Sequence, residues 1–429
     1  MKCYLIISGI FTCSLFLTAQ EHSITVNDYK QKVLEYSRQI KQYAEERTAI
    51  QYAVKVAKTA FLPSIDFSGN YQYRINSSQL DFGPAFSAEI DHNTYNIGVS
   101  LNQPIYTGGQ IYNQYKATQI QSQIAMETEE LTTDNVLYAA DITYWSAAAR
   151  KGMYEVMKQY VQIVQALADV LETRFKEGQI SKTDLLQVQA RLKEAELNQS
   201  TAYKDFQIAL QNLNVLMGLS PMNSVELTDA ISKVLPLPQY IDEEIALRNR
   251  PELKIKELNT EYLNRQIRLV KAKYSPSLAI GFQTTWGTPL LNVKGSEQLW
   301  TPAIVASLKI PLFHGGARFK EVSKQKALLR SSEYAQDETR DQITQELANA
   351  WTNLTEYTKQ IEVAKRACEI AEENLDLNTF SYNEGKLPIL DVLSAQLSWI
   401  QSFSNLIQTW YQQKIAIAQY NKAVGLRKL

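Results

Sequence analysis

The side chains that usually act as nucleophiles, bases or soft-metal ligands are scarce in this sequence. Its 429 residues include three histidines, His22, His92 and His314, and three cysteines. Catalysis commonly requires an activated nucleophile or a paired acid and base, and His92 falls in a predicted surface loop. Met153 and Met157 lie one helical turn apart, as soft-metal ligands can, but Met153 also lies on the apolar stripe of a helix. We therefore expect core packing there, no catalytic residue, no metal site and no cofactor.

Two aspartates, Asp184 and Asp391, have positions typical of a helix cap or of a charged ring. Each follows a glycine, Gly178 or Gly385, by six residues. A carboxylate in a first helical turn complements the helix dipole, and Ser181 precedes Asp184 at capping-box spacing. If copies of the chain assemble around an axis, the same carboxylates would form a ring that favours cations. Both interpretations stay open at this point.

The two aspartates belong to two copies of one sequence plan. The segment Pro-Ile-Tyr-Thr-Gly-Gly at 104–109 returns as Pro-Leu-Phe-His-Gly-Gly at 311–316, 207 positions later. The stretch 104–218 repeats at this offset without a gap, and upstream of it the offset becomes 213. Such a repeat indicates a duplicated structure.

Each copy predicts the same order of elements. The first structural repeat, 21–218, is expected to contain an opening helix (27–61), strands at 64–74 and 95–103, a long helix at 110–177 and a return helix at 182–217. The second, 242–429, is expected to contain an opening helix (242–273), strands at 277–286 and 302–311, a long helix at 317–384 and a return helix at 388–424. Proline ends the opening helices, and strict alternation of apolar and polar residues marks the strands. The proline-rich segment 219–241 connects the repeats and cannot continue a helix.

The long helices are too long for a compact globule. At 1.5 Å per residue each would span roughly 100 Å. Their apolar residues step by alternate threes and fours, the spacing of a coiled coil. The predicted seam contains Met153, Val156, Tyr160, Ile163, Leu167 and Val170 in the first copy, and Leu347, Ala350, Leu354, Tyr357, Ile361, Ala364, Cys368, Ala371 and Leu375 in the second.

The N-terminal residues predict export from the cytoplasm. Lys2, the apolar run 4–17 and the small residues after it have the order of a secretory signal peptide, expected at 1–20. Lipidation of Cys13 is an open alternative. The sequence has 44 basic and 45 acidic residues, so its net charge is −1. A net charge near zero argues against a nucleic-acid partner. No later stretch has 18 consecutive apolar residues, so a membrane role would depend on the strands.

The strands have the length and alternation of membrane-crossing strands. About ten residues cross a bilayer when tilted. We expect Ile65, Phe67, Tyr71 and Tyr73 to face lipid. Four strands cannot close a barrel, so copies of the chain would have to share eight, twelve or sixteen strands. A soluble sheet half-covered by helices is the alternative.

The sequence resembles the TolC-type outer-membrane efflux channels over essentially the whole mature chain. The most specific matches are Ala-Leu-Arg-Asn-Arg-Pro-Glu-Leu at 246–253, the Pro-x-x-x-Gly-Gly turns, and the paired segments 175–186 and 382–393. The resemblance implies a mixed, mainly α fold: a long coiled-coil α-helical barrel, or tunnel, plus a β-barrel to which each protomer gives four strands. It also implies a homotrimer in the outer membrane with a tunnel extending into the periplasm.

The resemblance further implies a gate at the turns of the helical hairpins. Asp391 would belong to an acidic ring, and Tyr382 would form a closing network with Asp184. The family arginine is replaced by Leu387, and a second acidic position is Ser394, so apolar contact around Leu387 is expected to contribute to closure. The residues expected at the adaptor-docking tips are Gly178, Gly385, Thr183, Leu185 and Val392.

The expected function is that of a passive export duct. Through the resemblance, its partners would be a periplasmic adaptor (membrane fusion) protein, an inner-membrane transporter and outer-membrane lipid, in a tripartite efflux or type I secretion system. A periplasmic coiled-coil adaptor or scaffold is the alternative, and an enzyme is not expected. Selectivity would lie mainly in the transporter, so export of a drug, metal ion, peptide or protein remains open.

Overall fold

The structure, a computed structural model, describes residues 22–76, 79–81, 87–289, 293 and 296–426. The predicted signal peptide, 1–20, and Cys13 lie outside these residues. In chain order the elements are β1 (His22–Ile24), α1 (Val26–Tyr36), α2 (Arg38–Thr59), β2 (Ser64–Tyr73), β3 (Gln79–Asp81), β4 (Ser87–Glu89), β5 (Asn93–Tyr106), α3 (Gln110–Lys176), α4 (Lys182–Leu216), β6 (Val225–Leu227), α5 (Glu243–Asn249), α6 (Pro251–Lys273), β7 (Ser277–Gly287), β8 (Leu299–Lys309), α7 (Ala317–Asn383) and α8 (Ile389–Ala423).

The helical hairpins of the two repeats have equal lengths. Helices α3 and α7 each contain 67 residues, and α4 and α8 each contain 35. Both ends of α7 lie 207 positions after the corresponding ends of α3, and the same holds for α8 and α4. None of the described helices is both long and apolar enough to cross a membrane.

Each opening helix is interrupted, which corrects the prediction of continuous helices at 27–61 and 242–273. The backbone leaves the helical region at Ser37 (φ −45°, ψ 112°) and at Arg250 (φ −76°, ψ 118°). Pro251 explains the second break, because the residue before a proline disfavours helix and proline suits a first helical position. Arg38 follows Ser37, so no comparable local signal marks the first break, although it occurs at the equivalent position.

The described chain forms two compact units, and each contains parts of both repeats. The sheet unit consists of 38–133 and 241–347. The helical unit consists of the residues up to Ser37, 134–240 and those from Ala348 onward. The repeats are therefore not two separate compact domains.

In the sheet unit, four antiparallel strands lie in the order β2-β5-β7-β8. The hairpins of the two repeats have equivalent registers, with Ser64 opposite Asn102 in the first and Ser277 opposite Lys309 in the second. A short hairpin, β3–β4, lies between β2 and β5 in the chain. The central pair, β5 and β7, joins the two repeats.

One face of this sheet is apolar along all four strands. Directly paired residues share a face, and the register aligns Ile65, Leu101, Phe282 and Ile304 across the sheet. The predicted lipid-facing residues Ile65, Phe67, Tyr71 and Tyr73 all belong to this face and are exposed. Asp66, Ser68, Asn70 and Gln72 alternate with them on the other face.

The predicted seam of the long helices agrees with the structure better in α7 than in α3. Leu347, Ala350, Leu354, Ile361, Cys368, Ala371 and Leu375 are buried. In α3, Val156, Tyr160 and Leu167 are buried, but Ile163 and Val170 are exposed. Val164 and Leu171 are buried one position later, because 3.6 residues per turn drift from a strict heptad.

The connection 219–241 contains no helix among its residues and packs along the helical unit. Its strand β6 pairs in parallel with β1. Gln413 in α8 donates to the Leu235 carbonyl oxygen (3.1 Å), and the Tyr420 hydroxyl donates to the Gln239 carbonyl oxygen (3.1 Å). We call this segment the strap.

The helical tips as candidate functional site

Each long helix ends just before a glycine whose backbone lies in the left-handed region, and we call these two hairpin turns the tips. Gly178 has φ 74° and Gly385 has φ 71°. The Gly178 amide donates to the Phe175 carbonyl oxygen (2.9 Å), and the Gly385 amide donates to the Tyr382 carbonyl oxygen (2.9 Å). Glycine adopts this backbone without steric cost and satisfies carbonyls at the helix end. The two hairpins therefore turn by the same device.

At the first tip, Asp184 forms the predicted capping box. The Asp184 amide donates to Ser181 Oγ (3.1 Å), and the Ser181 amide donates to Asp184 Oδ2 (3.4 Å). This pair satisfies amides that have no partner within the helix. The Asp184 carboxylate is therefore held at its own helix terminus.

At the second tip, Asp391 has a different environment. The N-cap residue is Pro388, which was predicted as the first helical residue, and it provides no side-chain cap. The Asp391 amide donates to the Pro388 carbonyl oxygen (3.2 Å). Among the described residues, none donates a hydrogen bond to the Asp391 carboxylate, which is exposed in the first turn. Of the two aspartates, Asp391 is thus the more available to an ion or a neighbouring molecule.

Tyr382 lies next to Arg174, a residue that sequence reasoning missed. The guanidinium carbon lies 5.3 Å from the centroid of the Tyr382 ring, and Arg174 Nη2 donates to Asn383 Oδ1 (3.3 Å). This cation–π contact joins the ends of α3 and α7. Tyr382 is buried, and its hydroxyl has no partner among the described residues. The predicted network between Tyr382 and Asp184 is not formed within the chain.

Two of the predicted docking residues are unsuitable because their side chains are buried. Leu185 and Val392 belong to the core of the helical unit. Each lies on the apolar stripe of its return helix, and this stripe packs into the core. Thr183 and Leu387 are exposed, as are Gly178 and Gly385.

The strap holds the start of α1 through Asp229. Asp229 Oδ2 accepts from the Val26 amide (2.8 Å) and contacts the Tyr144 hydroxyl (3.0 Å). The Asp229 amide also donates to the Tyr144 hydroxyl oxygen (3.3 Å). Burial raises the pKa of Tyr144, so the phenol stays protonated. These bonds fasten the strap to both α1 and α3.

A buried lysine fastens the strap to α8. Lys414 Nζ donates to the Lys233 carbonyl oxygen and lies 4.5 Å from the centroid of a Trp145 ring. Burial lowers the pKa of Lys414 to about 8, although Asp229 opposes this shift. Nearby, Lys30 and Asp141 form a 2.8 Å ion pair, and burial raises the pKa of Asp141 against the effect of Lys30.

Two of the three histidines, His92 and His314, make structural contacts. His92 Nδ1 lies 2.6 Å from the Arg74 carbonyl oxygen and its ring stacks on Tyr73. His314 contacts the Tyr274 ring edge to face. In the described part of the chain, no cluster of three or more His, Cys, Asp or Glu side chains has the geometry to hold a metal ion.

Duplicated long helical hairpins combined with a four-stranded amphipathic sheet define an outer-membrane export channel. The chain belongs to the family described as "Outer membrane efflux protein", whose profile matches residues 30–219 and 244–426. The predicted fold class, the resemblance to TolC-type channels and the outer-membrane location are confirmed. The family consists of passive channels rather than enzymes, which decides against both the scaffold and the enzyme alternatives.

Three similar proteins illustrate this membership. Outer membrane efflux protein BepC of Brucella suis biovar 1 (strain 1330) is 26% identical over 381 residues, which cover 86% of this chain and 77% of BepC. Outer membrane protein TolC of Escherichia coli (strain K12) is 22% identical over 415 residues, which cover 90% of this chain and 79% of TolC. A crystal structure of a membrane protein from Pseudomonas aeruginosa has a TM-score of 0.81 at 16% identity and covers 93% of both chains.

Proposed function

We propose that three copies of this chain form the outer-membrane duct of a tripartite export system. A periplasmic adaptor and an inner-membrane transporter complete that system, and the transporter supplies the energy. The efflux proteins to which the chain is similar support these partners. The duct itself carries out no chemistry, so its mechanism consists of assembly, docking and opening.

The observation that carries this proposal is an amphipathic sheet with two open edges. Among the described strands, β2 and β8 each pair on one side only. An open edge in hydrocarbon leaves backbone groups without partners, at several kcal/mol each. When the four-stranded sheets of three copies join, they form one twelve-stranded barrel without open edges. Its interior is wider than that of an eight-stranded barrel. The apolar face then contacts lipid and the polar face lines the duct.

The gate belongs to the helical tips in this proposal. Three copies bring three Asp391 carboxylates around the axis, where their negative potential favours cations. Leu387 supplies apolar contact at the position where the resemblance to TolC-type channels implies an arginine. Arg174 keeps Tyr382 packed against its own hairpin. Opening therefore requires the hairpins of neighbouring copies to separate at the apolar contacts around the exposed Leu387.

Adaptor docking belongs to the exposed part of the same tips. Gly178, Gly385 and Thr183 remain candidates. A partner can approach the exposed backbone of the two glycines and the exposed side chain of Thr183. Leu185 and Val392 act indirectly, since their buried side chains fix the shape of the hairpins. Leu186 and Leu390 are exposed next to them and replace them as apolar docking candidates.

Membrane fractionation and gel migration test the proposal. An outer-membrane duct should resist extraction without detergent and should migrate as a trimer until heated. A chain that is released into the soluble periplasmic fraction as a monomer would contradict the proposal. A stable trimer that elutes without detergent would contradict its membrane part alone.

A further inference from the structure

A charged cavity of about 270 Å³ lies between the strap, α1, α3 and α8 within the helical unit. Three lysines and two aspartates are among its lining residues, which include Lys30, Lys233, Lys414, Asp141 and Asp229. Cavities that bind drug-sized ligands have volumes of about 300–1,000 Å³. This cavity is smaller and is lined by five charged side chains, so a small polar solute fits it better than a large apolar one.

Both aspartates of the cavity have their direct partners on α1 and α3. Asp141 Oδ1 forms an ion pair with Lys30 Nζ at 2.8 Å. Asp229 Oδ2 accepts from the Val26 amide (2.8 Å) and lies 3.0 Å from the Tyr144 hydroxyl oxygen. Neither carboxylate is therefore in direct contact with the other two lysines.

Lys414 is a buried cation without an ion pair. Its side chain is 2% exposed, and its ammonium group donates to the Lys233 carbonyl oxygen and lies 4.5 Å from the centroid of a Trp145 ring. Among the described residues, no carboxylate lies within 4.0 Å of the ammonium group of Lys414 or of Lys233. Buried charges are normally paired, because a buried charge without a partner is costly. The cavity is the space from which an anion could reach this ammonium group.

The electrostatics of the cavity favour an anion. Burial lowers the pKa of Lys414, Asp229 opposes this shift, and the Lys233 ammonium group adds to it. An anion that contacts both ammonium groups would offset the cost of burial and the repulsion between the two lysines. Asn27 and Asn421 also line the cavity, and their side-chain amides can donate hydrogen bonds to an oxygen atom.

We propose that this cavity binds one small oxyanion of the phosphate class through the ammonium groups of Lys414 and Lys233 and the amides of Asn27 and Asn421. Four donor groups suit the several oxygen atoms of such an anion better than they suit a halide. The bound anion links the strap to α1 and α8, and so adds to the fastening that Asp229 provides. All these residues belong to one chain, so the site does not depend on the proposed trimer.

Isothermal titration calorimetry with inorganic phosphate tests the site. The purified full-length protein, in a non-ionic detergent at pH 7 and at an ionic strength held constant with sodium chloride, should bind one phosphate per chain. Lys414→Met should weaken this binding by about tenfold or more, because it removes a charged hydrogen-bond donor. Lys233→Met keeps the carbonyl oxygen that Lys414 contacts, and it should also weaken binding. Lys422→Met, a change on α8 outside the cavity lining, is the matched control and should bind phosphate as the wild type does.

Thermal unfolding, followed by the circular dichroism of the helices, is the second measurement. Phosphate in place of chloride at equal ionic strength should raise the unfolding temperature of the wild type by about 2 °C or more. Phosphate also stabilises proteins in general because it is excluded from their surface. An equal rise in the wild type, Lys414→Met and Lys233→Met, or no calorimetric binding to the wild type, would therefore overturn the site. The exposed Lys233→Met change keeps the test decisive if Lys414→Met does not fold.

Discussion

Asp184 and Asp391 occupy equivalent turns, but the residues three positions before them determine different roles. Ser181 captures the first carboxylate in a capping box, whereas Pro388 has no side-chain donor for the second. From the sequence, both a helix-capping role and a place in an acidic ring were open for each aspartate. The structure favours the cap at Asp184 and leaves the Asp391 carboxylate exposed, which supports its place in the proposed ring.

Asp391→Asn tests the ring without removing the capping capability of the residue. Asparagine keeps a side-chain oxygen at the helix terminus but removes the charge. We expect lower cation preference and weaker block by multivalent cations in bilayer recordings, with trimer assembly unchanged. Asp376→Asn, an exposed change on α7 outside the turn, is the matched control. Selectivity and block equal to those of the wild type would leave Asp391 as a helix-end residue only.

Lys414 predicts a particular pH dependence of stability. Its pKa in the folded protein is about 8, below the value of about 10.4 for an unfolded chain. Between these values the unfolded chain binds more protons, so stability should rise as the pH increases from about 8 towards 10. The full effect is on the order of 3 kcal/mol.

Thermal dissociation of the trimer between pH 7.5 and 9.5 measures this effect. Lys414→Met should flatten the rise with pH, because the titrating group is absent. Lys422→Met, on the same helix, should keep the slope of the wild type. An identical slope in the wild type and the Lys414→Met variant would contradict this account of the buried ammonium group.

At the scale of elements, repetition made the hairpins predictable. The positions of glycine and proline locate α3, α4, α7 and α8, and alternation locates the strands. The breaks at Ser37 and Arg250 were not predicted, although Pro251 was a readable signal for one of them. The burial of Leu185 and Val392 and the contact between Arg174 and Tyr382 depend on packing between residues far apart in sequence. Periodicity within one element carries no information on such contacts.

The sidedness of the sheet predicts unequal effects of two neighbouring substitutions. Phe67→Arg places a charge on the lipid face and should cost about 2–4 kcal/mol, which impairs assembly. Ser68→Arg faces the interior and should be tolerated. The yield of heat-sensitive trimer in outer membranes measures both. Equal damage at the two positions would remove the membrane-crossing role of β2.

The strap should matter for assembly rather than for conduction. Asp229→Ala removes the acceptor for the Val26 amide and the Tyr144 hydroxyl, so the loss should be about 1–3 kcal/mol. We expect a lower dissociation temperature and an unchanged single-channel conductance. Glu226→Ala, an exposed change in β6, is the control. A variant of normal stability with altered conductance would place the strap in the conduction path instead.

At the scale of the whole molecule, a single chain does not form the proposed channel by itself. Among the described residues, the sheet has two open edges, no residue of α2 is buried, and Leu312 and Phe313 are almost fully exposed. In the proposed trimer, pairing of strands between copies closes both edges of the sheet. A sheet that is shared between copies also explains why so long a chain contributes only four strands to it.

Conduction by the purified protein in a planar lipid bilayer tests the central claim most directly. The trimer should insert and give discrete, reproducible conductance steps, which the Asp391→Asn variant should retain with altered cation preference. A detergent-purified trimer that inserts into the bilayer but carries no current under any applied voltage or pH would contradict the claim that this chain forms an export duct.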